Sequence, residues 1–371
     1  MNIKLFYHSL ISDWNHGNAH FLRGVYSELL KKGHWVTVYE PTDGWSLQSL
    51  LEIHGEQALT NFRRAFPHLH SEFYDPQDPK LDSLLRNADL VLVHEWTDPT
   101  LVKAIGEHRA RSEFTLLFHD THHRAVSAKS QMRQFDLSHY DGALVFGASL
   151  QREYQQERWA RRTWVWHEAA DTDTYRPHPR DHMVGDLVWI GNWGDDERTD
   201  ELQQFIIRPV QELELKATFY GVRYPPHALE ALASAGIEYG GWLPASQVAS
   251  TFSRYKVTVH VPRRFYRDKL PGIPTIRPFE AMACKIPLLS APWHDSENLF
   301  RVGKDFLMAN SGHQMTQLLE ALLNSPPFAT EMAEMAYNTI RHRHTCRHRV
   351  NELLTIFQQL QAERQTIVIR A

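Results

Sequence analysis

The chain has 371 residues, 42% of them hydrophobic and 23% charged, which is ordinary for a globular protein of about two domains. Its 40 basic and 44 acidic side chains give a formal net charge of −4, which excludes a global electrostatic drive toward nucleic acid or an anionic membrane. Two cysteines imply no disulfide framework, and no apolar run is long enough to span a bilayer. We expect a cytoplasmic protein without a transmembrane segment, for which peripheral membrane contact stays open.

The first half of the chain alternates short apolar runs with helical stretches. We predict strands at 3–7, 35–39, 90–94, 115–119, 143–146 and 163–166. Strands that are apolar on both faces indicate a parallel sheet covered by helices. Residues 1–166 are therefore predicted to form one doubly wound, Rossmann-like α/β domain.

The alternation pauses at 167–185, where prolines and polar residues predict a linker, and then resumes. We predict further strands at 187–190, 216–220, 237–240, 257–261, 286–289 and 306–308. Residues 186–345 are predicted to form a second Rossmann-like domain, followed by a helix and tail at 346–371 that cross back to the first domain. Two such domains would face a central cleft, and ligands of parallel sheets bind beyond the carboxyl ends of the strands.

The loops that follow the first-domain strands carry candidate site residues. Gly17 permits close backbone approach, and His20 and Arg23 lie one turn apart at a helix start, where we expect acceptor contacts. His119 and Asp120, in FHDTHHR, suit proton transfer or hydrogen bonding to a sugar hydroxyl. A metal site of His119, His122 and His123 and a loop of surface histidines are the alternatives. Glu40 is discounted as a ribose-binding acid because the G-x-G-x-x-G fingerprint is absent.

The loops of the second domain predict a phosphate and sugar site. In IGNWGDDER, Gly191 and Asn192 leave room for a ligand, and Asp195 or Asp196 is a candidate helix cap. Residues 263–277 hold five cations against one anion and lead into a helix that starts near Ile276, a pattern typical of anion binding. The donor-site residues predicted from this stretch are Arg263, Arg264, Lys269, Thr275, Arg277 and Glu280. A solvated charged loop and single-stranded nucleic acid binding through Phe265 and Tyr266 are the alternatives.

The stretch RHRHTCRHR at 341–349 has the composition of a metal-binding tract but not its geometry. On a helix, His344 and His348 share one face, whereas His342 and Cys346 lie on another. A closed four-ligand site does not follow, so we predict a basic helix surface.

Several segments resemble the GT-B glycosyltransferases, and most closely the retaining family with the Glu-x7-Glu motif (glycosyltransferase group 1, family 4-like). PFEAMACKIPLLS at 278–290 resembles the E-A-M-A-C-G-x-P-V segment of that family, AADTDTYRP at 169–177 its domain-junction segment, and 238–264 its G-x-[LV]-[PS] stretch. HTCRHRVNELL at 344–354 is similar to the carboxyl-terminal motif of the spore-maturation glycosyltransferase-like subgroup.

The resemblance implies roles for particular residues. Glu280 would bind the donor ribose, His119 would contact the donor sugar, and Gly17 would lie near the donor phosphates. Arg263, Arg264 and Lys269 are the candidates for the diphosphate clamp. The chain departs from the family at Gly272, where the first motif glutamate is expected, and at Lys285, which replaces a glycine.

We therefore predict a hexosyltransferase that moves a sugar from a nucleotide diphosphate sugar to an unidentified glycan, lipid, protein or small molecule. The resemblance implies a retaining reaction. The nucleotide sugar is a co-substrate, and neither a cofactor nor a metal is expected, because basic side chains would take the place of a cation. A non-catalytic nucleotide-sugar-binding protein and a GT-B-fold sugar-nucleotide epimerase stay open, and a nucleic-acid partner is not expected.

Overall fold

The computed structural model describes residues 1–180, 182–194 and 196–370, with side chains described up to residue 366. The chain divides into two compact units. Unit 1 comprises Met1–Glu168 together with Cys346–Ala371, and unit 2 comprises Ala169–Thr345. The stretch predicted as a linker, 167–185, is thus shared between the two units, and most of it belongs to unit 2.

Unit 1 contains a seven-stranded parallel sheet with the order β3-β2-β1-β4-β5-β6-β7. Its strands are β1 Asn2–Phe6, β2 Trp35–Pro41, β3 Ser71–Tyr74, β4 Leu90–His94, β5 Thr115–Asp120, β6 Gly142–Val145 and β7 Thr163–Val165. The central strands β4 and β5 are buried along their whole length, which explains their continuous apolar sequences. The strand order reverses between β1 and β4, which is the usual ligand position in such sheets.

Helices connect and cover the strands of unit 1. They are α1 Asn18–Lys31, α2 Trp45–His54, α3 Glu56–Ala65, α4 Leu81–Leu84, α5 Pro99–Arg109, α6 Arg124–Ser127, α7 Lys129–Met132, α8 Ala148–Glu157 and, from the end of the chain, α17 Cys346–Arg370. The last helix belongs to unit 1, as predicted, because it packs against α1. It is anchored by Arg349, whose Nε donates to the carbonyl of His167 at 2.9 Å.

Unit 2 contains a six-stranded parallel sheet with the order β10-β9-β8-β11-β12-β13. Its strands are β8 Gly185–Ile190, β9 Ala217–Tyr220, β10 Glu238–Gly241, β11 Tyr255–His260, β12 Leu288–Ser290 and β13 Leu307–Met308. The inward faces of β8 and β11 meet one apolar cluster that includes Trp193, Phe205 and Phe219. Burial of this cluster holds the strand ends in fixed positions for the loops that follow them.

The helices of unit 2 follow the same alternation. They are α9 Thr199–Leu202, a π-helical turn Gln203–Ile207, α10 Arg208–Glu212, α11 Pro226–Ser234, α12 Ala245–Phe252, α13 Arg264–Asp268, α14 Ile276–Ala283, α15 Gly312–Asn324 and α16 Pro326–Arg343. Among the helices that the structure describes, none combines the length and apolar character that crossing a bilayer requires.

The prediction of a basic helix surface at 341–349 is wrong for half of the tract. His344, Cys346 and Arg349 are buried, whereas Arg341 and Arg347 are exposed. The His344 ring bonds to the carbonyl of Leu299 at 2.9 Å. Helix α16 ends at Arg343 and α17 begins at Cys346, so the residues around this break are packed instead of solvated.

Candidate functional site

Arg198 is the best-placed cation at the carboxyl ends of the unit 2 strands. Its Nη1 donates to the Val261 carbonyl at 2.7 Å and its Nη2 to the Asn192 carbonyl, so it joins the loops after β8 and β11. Carbonyl groups have no net charge, so these bonds orient the guanidinium without neutralising it. Burial, and secondly the charge of Arg263, lower the pKa of Arg198 to about 10, which leaves it protonated at neutral pH. The arrangement suits an anionic ligand.

The predicted basic cluster is largely ion-paired within unit 2. Arg263 pairs with Glu197, and Arg264 donates to Glu201 at 2.9 Å. The same Glu201 oxygen accepts from Arg267 at 2.9 Å. The acidic segment after β8 therefore offsets much of the positive charge after β11. Arg263 and Arg264 brace α9 against α13 in this structure, and their predicted contact with a diphosphate stays a prediction.

The loops after β8 and β9 lie in close contact with each other. The Asn192 side-chain oxygen accepts from the Val222 N–H at 2.9 Å, and the Gly191 carbonyl accepts from the Tyr224 hydroxyl at 2.9 Å. A β-carbon on Gly221 would overlap the Gly191 carbonyl, so only glycine fits there. These bonds give Gly191 and Asn192 a structural role beside the donor contact that the sequence predicted.

Helix α14 carries the remaining predicted donor residues. Glu280 is 0% exposed, and Arg277, one turn earlier, donates to its Oε2 at 2.5 Å. Thr275 precedes the helix with φ 61° and ψ −178°, a conformation that only glycine adopts at low cost. Strained backbone conformations are found more often at functional sites than elsewhere in proteins. Lys269, which ends α13, is exposed.

Gly272 occupies a position that excludes a glutamate. Its φ of +93° lies in the region that favours glycine, and a β-carbon there would clash with the Oγ of Ser296. The departure from the Glu-x7-Glu pattern is thus required by the local backbone. Of the two candidate cap residues in the β8 loop, Asp196 does not cap α9, whose N-cap residue is Arg198, and Asp195 lies outside the described residues.

In unit 1, His119 and Tyr7 form a buried pair at the carboxyl ends of β5 and β1. The Tyr7 hydroxyl lies 2.6 Å from Nδ1 of His119, and His94, the register partner of His119 on β4, stacks on Tyr7. Burial lowers the pKa of His119 to about 3, so its imidazole is neutral at pH 7. Within the described residues, Nε2 of His119 has no hydrogen-bond partner, although it is buried. Such an atom is an available contact for a ligand.

Asp120 forms hydrogen bonds with other residues than His119 does. It accepts from the Tyr154 hydroxyl at 2.7 Å and from the His122 N–H at 3.0 Å, and it is fully buried. Burial raises the pKa of this carboxyl. These bonds give Asp120 a role in shaping the loop after β5, and the catalytic role that the sequence predicted for it stays a prediction.

A second buried carboxyl, which the sequence analysis missed, lies one strand away. Glu95 follows β4 and accepts from Arg124 at 2.8 Å and from the Thr121 hydroxyl at 3.3 Å. Burial raises the pKa of this carboxyl, and the charge of Arg124 opposes that rise. Its nearest signal in the sequence is the polar pair at the end of the apolar run 90–94.

The loop after β1 is fixed by two buried side chains of opposite charge. Glu40 accepts from the N–H groups of Leu10 at 2.7 Å and Ile11 at 3.1 Å. Arg23 donates to the carbonyls of the same two residues at 2.8 and 2.7 Å, and its third nitrogen reaches Asp13. Arg23 therefore positions the loop, and its predicted acceptor contact stays a prediction.

The other predicted residues of this loop lie at the start of α1. His20 is buried, with its Nε2 at 3.6 Å from Asp13. Gly17 is exposed and forms the N-cap of α1 with helical backbone angles, so its conformation does not require glycine. Among the described residues, no group of three His, Cys, Asp or Glu side chains could hold a metal ion, which gives the metal-binding alternative no support.

Comparison with known proteins gives a family match over part of the chain and a shared fold over nearly all of it. Residues 198–355 match the family model described as glycosyl transferase-like. No match is found among curated proteins. Sucrose-phosphate synthase from Thermosynechococcus elongatus is 11% identical, with a TM-score of 0.66 over 98% of this chain and 100% of that chain. HepE from Anabaena, in complex with UDP and glucose, is 13% identical, with a TM-score of 0.64 over 99% and 100%. An alpha-glucosyltransferase in complex with UDP is 10% identical, with a TM-score of 0.71 over 96% and 100%.

These matches confirm the GT-B fold that the sequence predicted. The predicted enzyme class, a glycosyltransferase, is confirmed by the family model over residues 198–355. Identities of 10–13% to the solved structures carry the fold alone. The narrower assignment to the Glu-x7-Glu family and to the spore-maturation subgroup stays a prediction.

Proposed function

We propose that the chain transfers a sugar from a nucleotide diphosphate sugar to an acceptor. The observation that carries this proposal is the position of the Arg198 guanidinium at the carboxyl ends of β8 and β11, where His260 of β11 interacts with Arg198 and with the backbone of Pro274, just before α14. A fixed cation and a helix start bind phosphate, and the buried Glu280 carboxylate on that helix is an acceptor for ribose hydroxyls.

In this scheme Arg198 stabilises the charge that develops on the diphosphate as the sugar leaves. Its guanidinium is oriented in advance by the Val261 and Asn192 carbonyls, so little reorganisation is needed during the reaction. We propose that this cation, with the helix start, takes the place of a metal ion. Fold relatives have been solved in complex with UDP and with UDP-glucose, which makes uridine nucleotides the first to test.

His119 is proposed to contact the transferred sugar. We assign the Tyr7 hydroxyl as the donor to Nδ1 of His119, because a phenol donates more readily than it accepts. The ring proton then lies on Nε2, the atom without a protein partner, where it can donate to a sugar oxygen. A neutral imidazole held in one tautomer suits positioning of the sugar more than acid catalysis.

A retaining outcome is proposed from the family resemblance alone. One observation favours the non-catalytic alternative: the glycine-only conformation at Gly272 removes the first motif glutamate, which in the resembled family positions the sugar. Binding of the nucleotide and turnover of the sugar are therefore tested separately.

The test of binding is a thermal-shift titration of the full chain with UDP, GDP, ADP and TDP at 5 mM. A ligand present at about 100 times its Kd stabilises the folded state by about 2.7 kcal/mol. We expect one nucleotide to raise the Tm of the wild type and of Arg341→Met, a control at an exposed arginine of α16, and to lose most of its effect in Arg198→Met. Failure of all four nucleotides to raise the Tm would reject the donor site.

A further inference from the structure

Three aromatic rings stand together at the carboxyl edge of the unit 1 sheet. Trp45 begins α2, Trp96 follows β4 by two residues, and His122 follows β5 by two residues. The Trp45 and Trp96 ring centroids are 6.3 Å apart, and those of Trp96 and His122 are 5.4 Å apart. We call these three residues the aromatic wall. His122 follows the strand that carries His119, β5, and Trp96 follows the neighbouring strand β4.

The aromatic wall is held in place by its neighbours, yet Trp96 is 36% exposed. The Arg124 guanidinium lies 4.4 Å from the Trp96 ring centroid and is itself fixed by its ion pair with the buried Glu95. The His8 ring stacks on Trp45 with a centroid distance of 4.6 Å. A large ring that is partly exposed and fixed in advance loses little conformational entropy when it binds a ligand.

Charge around the aromatic wall disfavours a polyanion. Asp43 and Asp98 are exposed and stand two residues from Trp45 and Trp96, respectively. Arg124, the cation that contacts the wall, is paired with Glu95 at 2.8 Å. Nucleic acids need several unpaired cations along their path, and an anionic lipid surface needs a basic cluster. Neither requirement is met by this combination of acidic and paired residues.

We infer that the aromatic wall binds the acceptor, and that the acceptor is an uncharged saccharide. The C–H faces of a sugar ring carry partial positive charge and complement the negative face of an indole, while acidic side chains at the margin accept hydrogen bonds from hydroxyl groups. This inference rests on the proposed function, which requires an acceptor, and it assigns the chemical class of that acceptor. A DNA or lipid acceptor is the competing assignment.

The experiment measures saccharide binding to the full chain by saturation-transfer NMR and calorimetry. The probes are maltotetraose, cellotetraose and tri-N-acetylchitotriose, each tested alone, and a single-stranded DNA 13-mer. Trp96→Ala removes the exposed ring, and Trp96→Phe restores an aromatic face. Trp35→Ala is the matched control, because Trp35 is 80% exposed at the opposite, amino-terminal end of β2.

We expect at least one saccharide to bind the wild type and Trp35→Ala with equal affinity. Its affinity for Trp96→Ala should be at least tenfold lower, and its affinity for Trp96→Phe should return toward that of the wild type. The inference is overturned if no saccharide binds, if Trp96→Ala binds as the wild type does, or if only the DNA binds through Trp96. The UDP-induced rise in Tm, measured on the same variants, should not change. Saccharide binding through Trp96 without any nucleotide binding would support the saccharide surface and reject the proposed function.

Discussion

Acidification from pH 7 to pH 5 should destabilise unit 1 through its buried histidines. Burial lowers the pKa of His119 to about 3 and that of His8 to about 4, against 6.5 for an exposed imidazole. Both groups are neutral in the folded state, whereas the unfolded chain takes up protons once the pH falls below 6.5. The sign is therefore a stability that is complete above pH 6.5 and is lost as the pH falls toward the folded-state pKa.

The size of the effect follows from the two pKa values. Between pH 7 and pH 5, each imidazole that remains neutral in the folded state costs about 2 kcal/mol of unfolding free energy. His119 and His8 together give about 4 kcal/mol. His16 and His94 are also buried with lowered pKa values and act in the same direction. The buried carboxyls Glu40, Glu95 and Asp120 have raised pKa values and act in the opposite direction, so the net loss for unit 1 is smaller than the contribution of the histidines alone.

Hydrogen exchange of the β5 backbone amides, corrected for intrinsic rates, reports the opening free energy of unit 1 at pH 7, 6 and 5. His119→Gln removes one titrating group, so it should reduce the loss between pH 7 and pH 5 by about 2 kcal/mol, whatever it does to stability at pH 7. The control His313→Gln, at an exposed position of α15, should leave the loss unchanged. An equal loss in His119→Gln and the wild type would refute the assignment of His119 as a buried neutral imidazole.

Three further substitutions test individual contacts. Tyr7→Phe removes the hydroxyl that orients His119, so kcat should fall about tenfold with little change in KM, and an unchanged kcat would reject the positioning role. Glu40→Leu removes both acceptor oxygens and leaves the N–H groups of Leu10 and Ile11 unsatisfied, which should cost about 2–4 kcal/mol in a urea titration; a cost below about 0.5 kcal/mol would contradict the account. Thr275→Gly should relieve backbone strain and stabilise the chain by about 1 kcal/mol, whereas a lowered Tm would show that the side chain matters more than the strain.

Local sequence patterns predicted the two sheets, but they missed strand β3 and several hydrogen-bond and ion-pair partners. Continuous apolar runs placed β4 and β5 closely, because a strand that is buried on both faces needs apolar residues at every position. Strand β3, Ser71–Tyr74, was not predicted, because it lies at the sheet edge, is mostly exposed and has no continuous apolar run. Its pairing with β2 comes from the fold of the whole unit.

The sequence located the candidate site, but it did not show which acidic side chains pair with its arginines. The anions that neutralise Arg263 and Arg264 lie more than 60 residues earlier in the chain, and three strands separate them in sequence. Glu40 was discounted for want of a dinucleotide motif, and it serves instead to hold the β1 loop. Arg198 belongs to a segment that looks like a charged turn, and only the meeting of the β8 and β11 ends reveals its position. Contacts of this kind depend on tertiary structure and leave no local pattern.

The central claim, that the chain transfers sugars from a nucleotide diphosphate donor, is tested most directly by turnover of the donor. Purified full-length protein would be incubated with UDP-glucose and, separately, GDP- and ADP-sugars, each with and without the oligosaccharide that binds Trp96, and free nucleotide and new glycan would be measured by mass spectrometry. We predict release of one nucleoside diphosphate together with a glycan enlarged by one sugar, both abolished in Arg198→Met. A nucleotide that binds and raises the Tm while its sugar is neither transferred nor hydrolysed over hours would contradict the claim and establish a binding protein in its place.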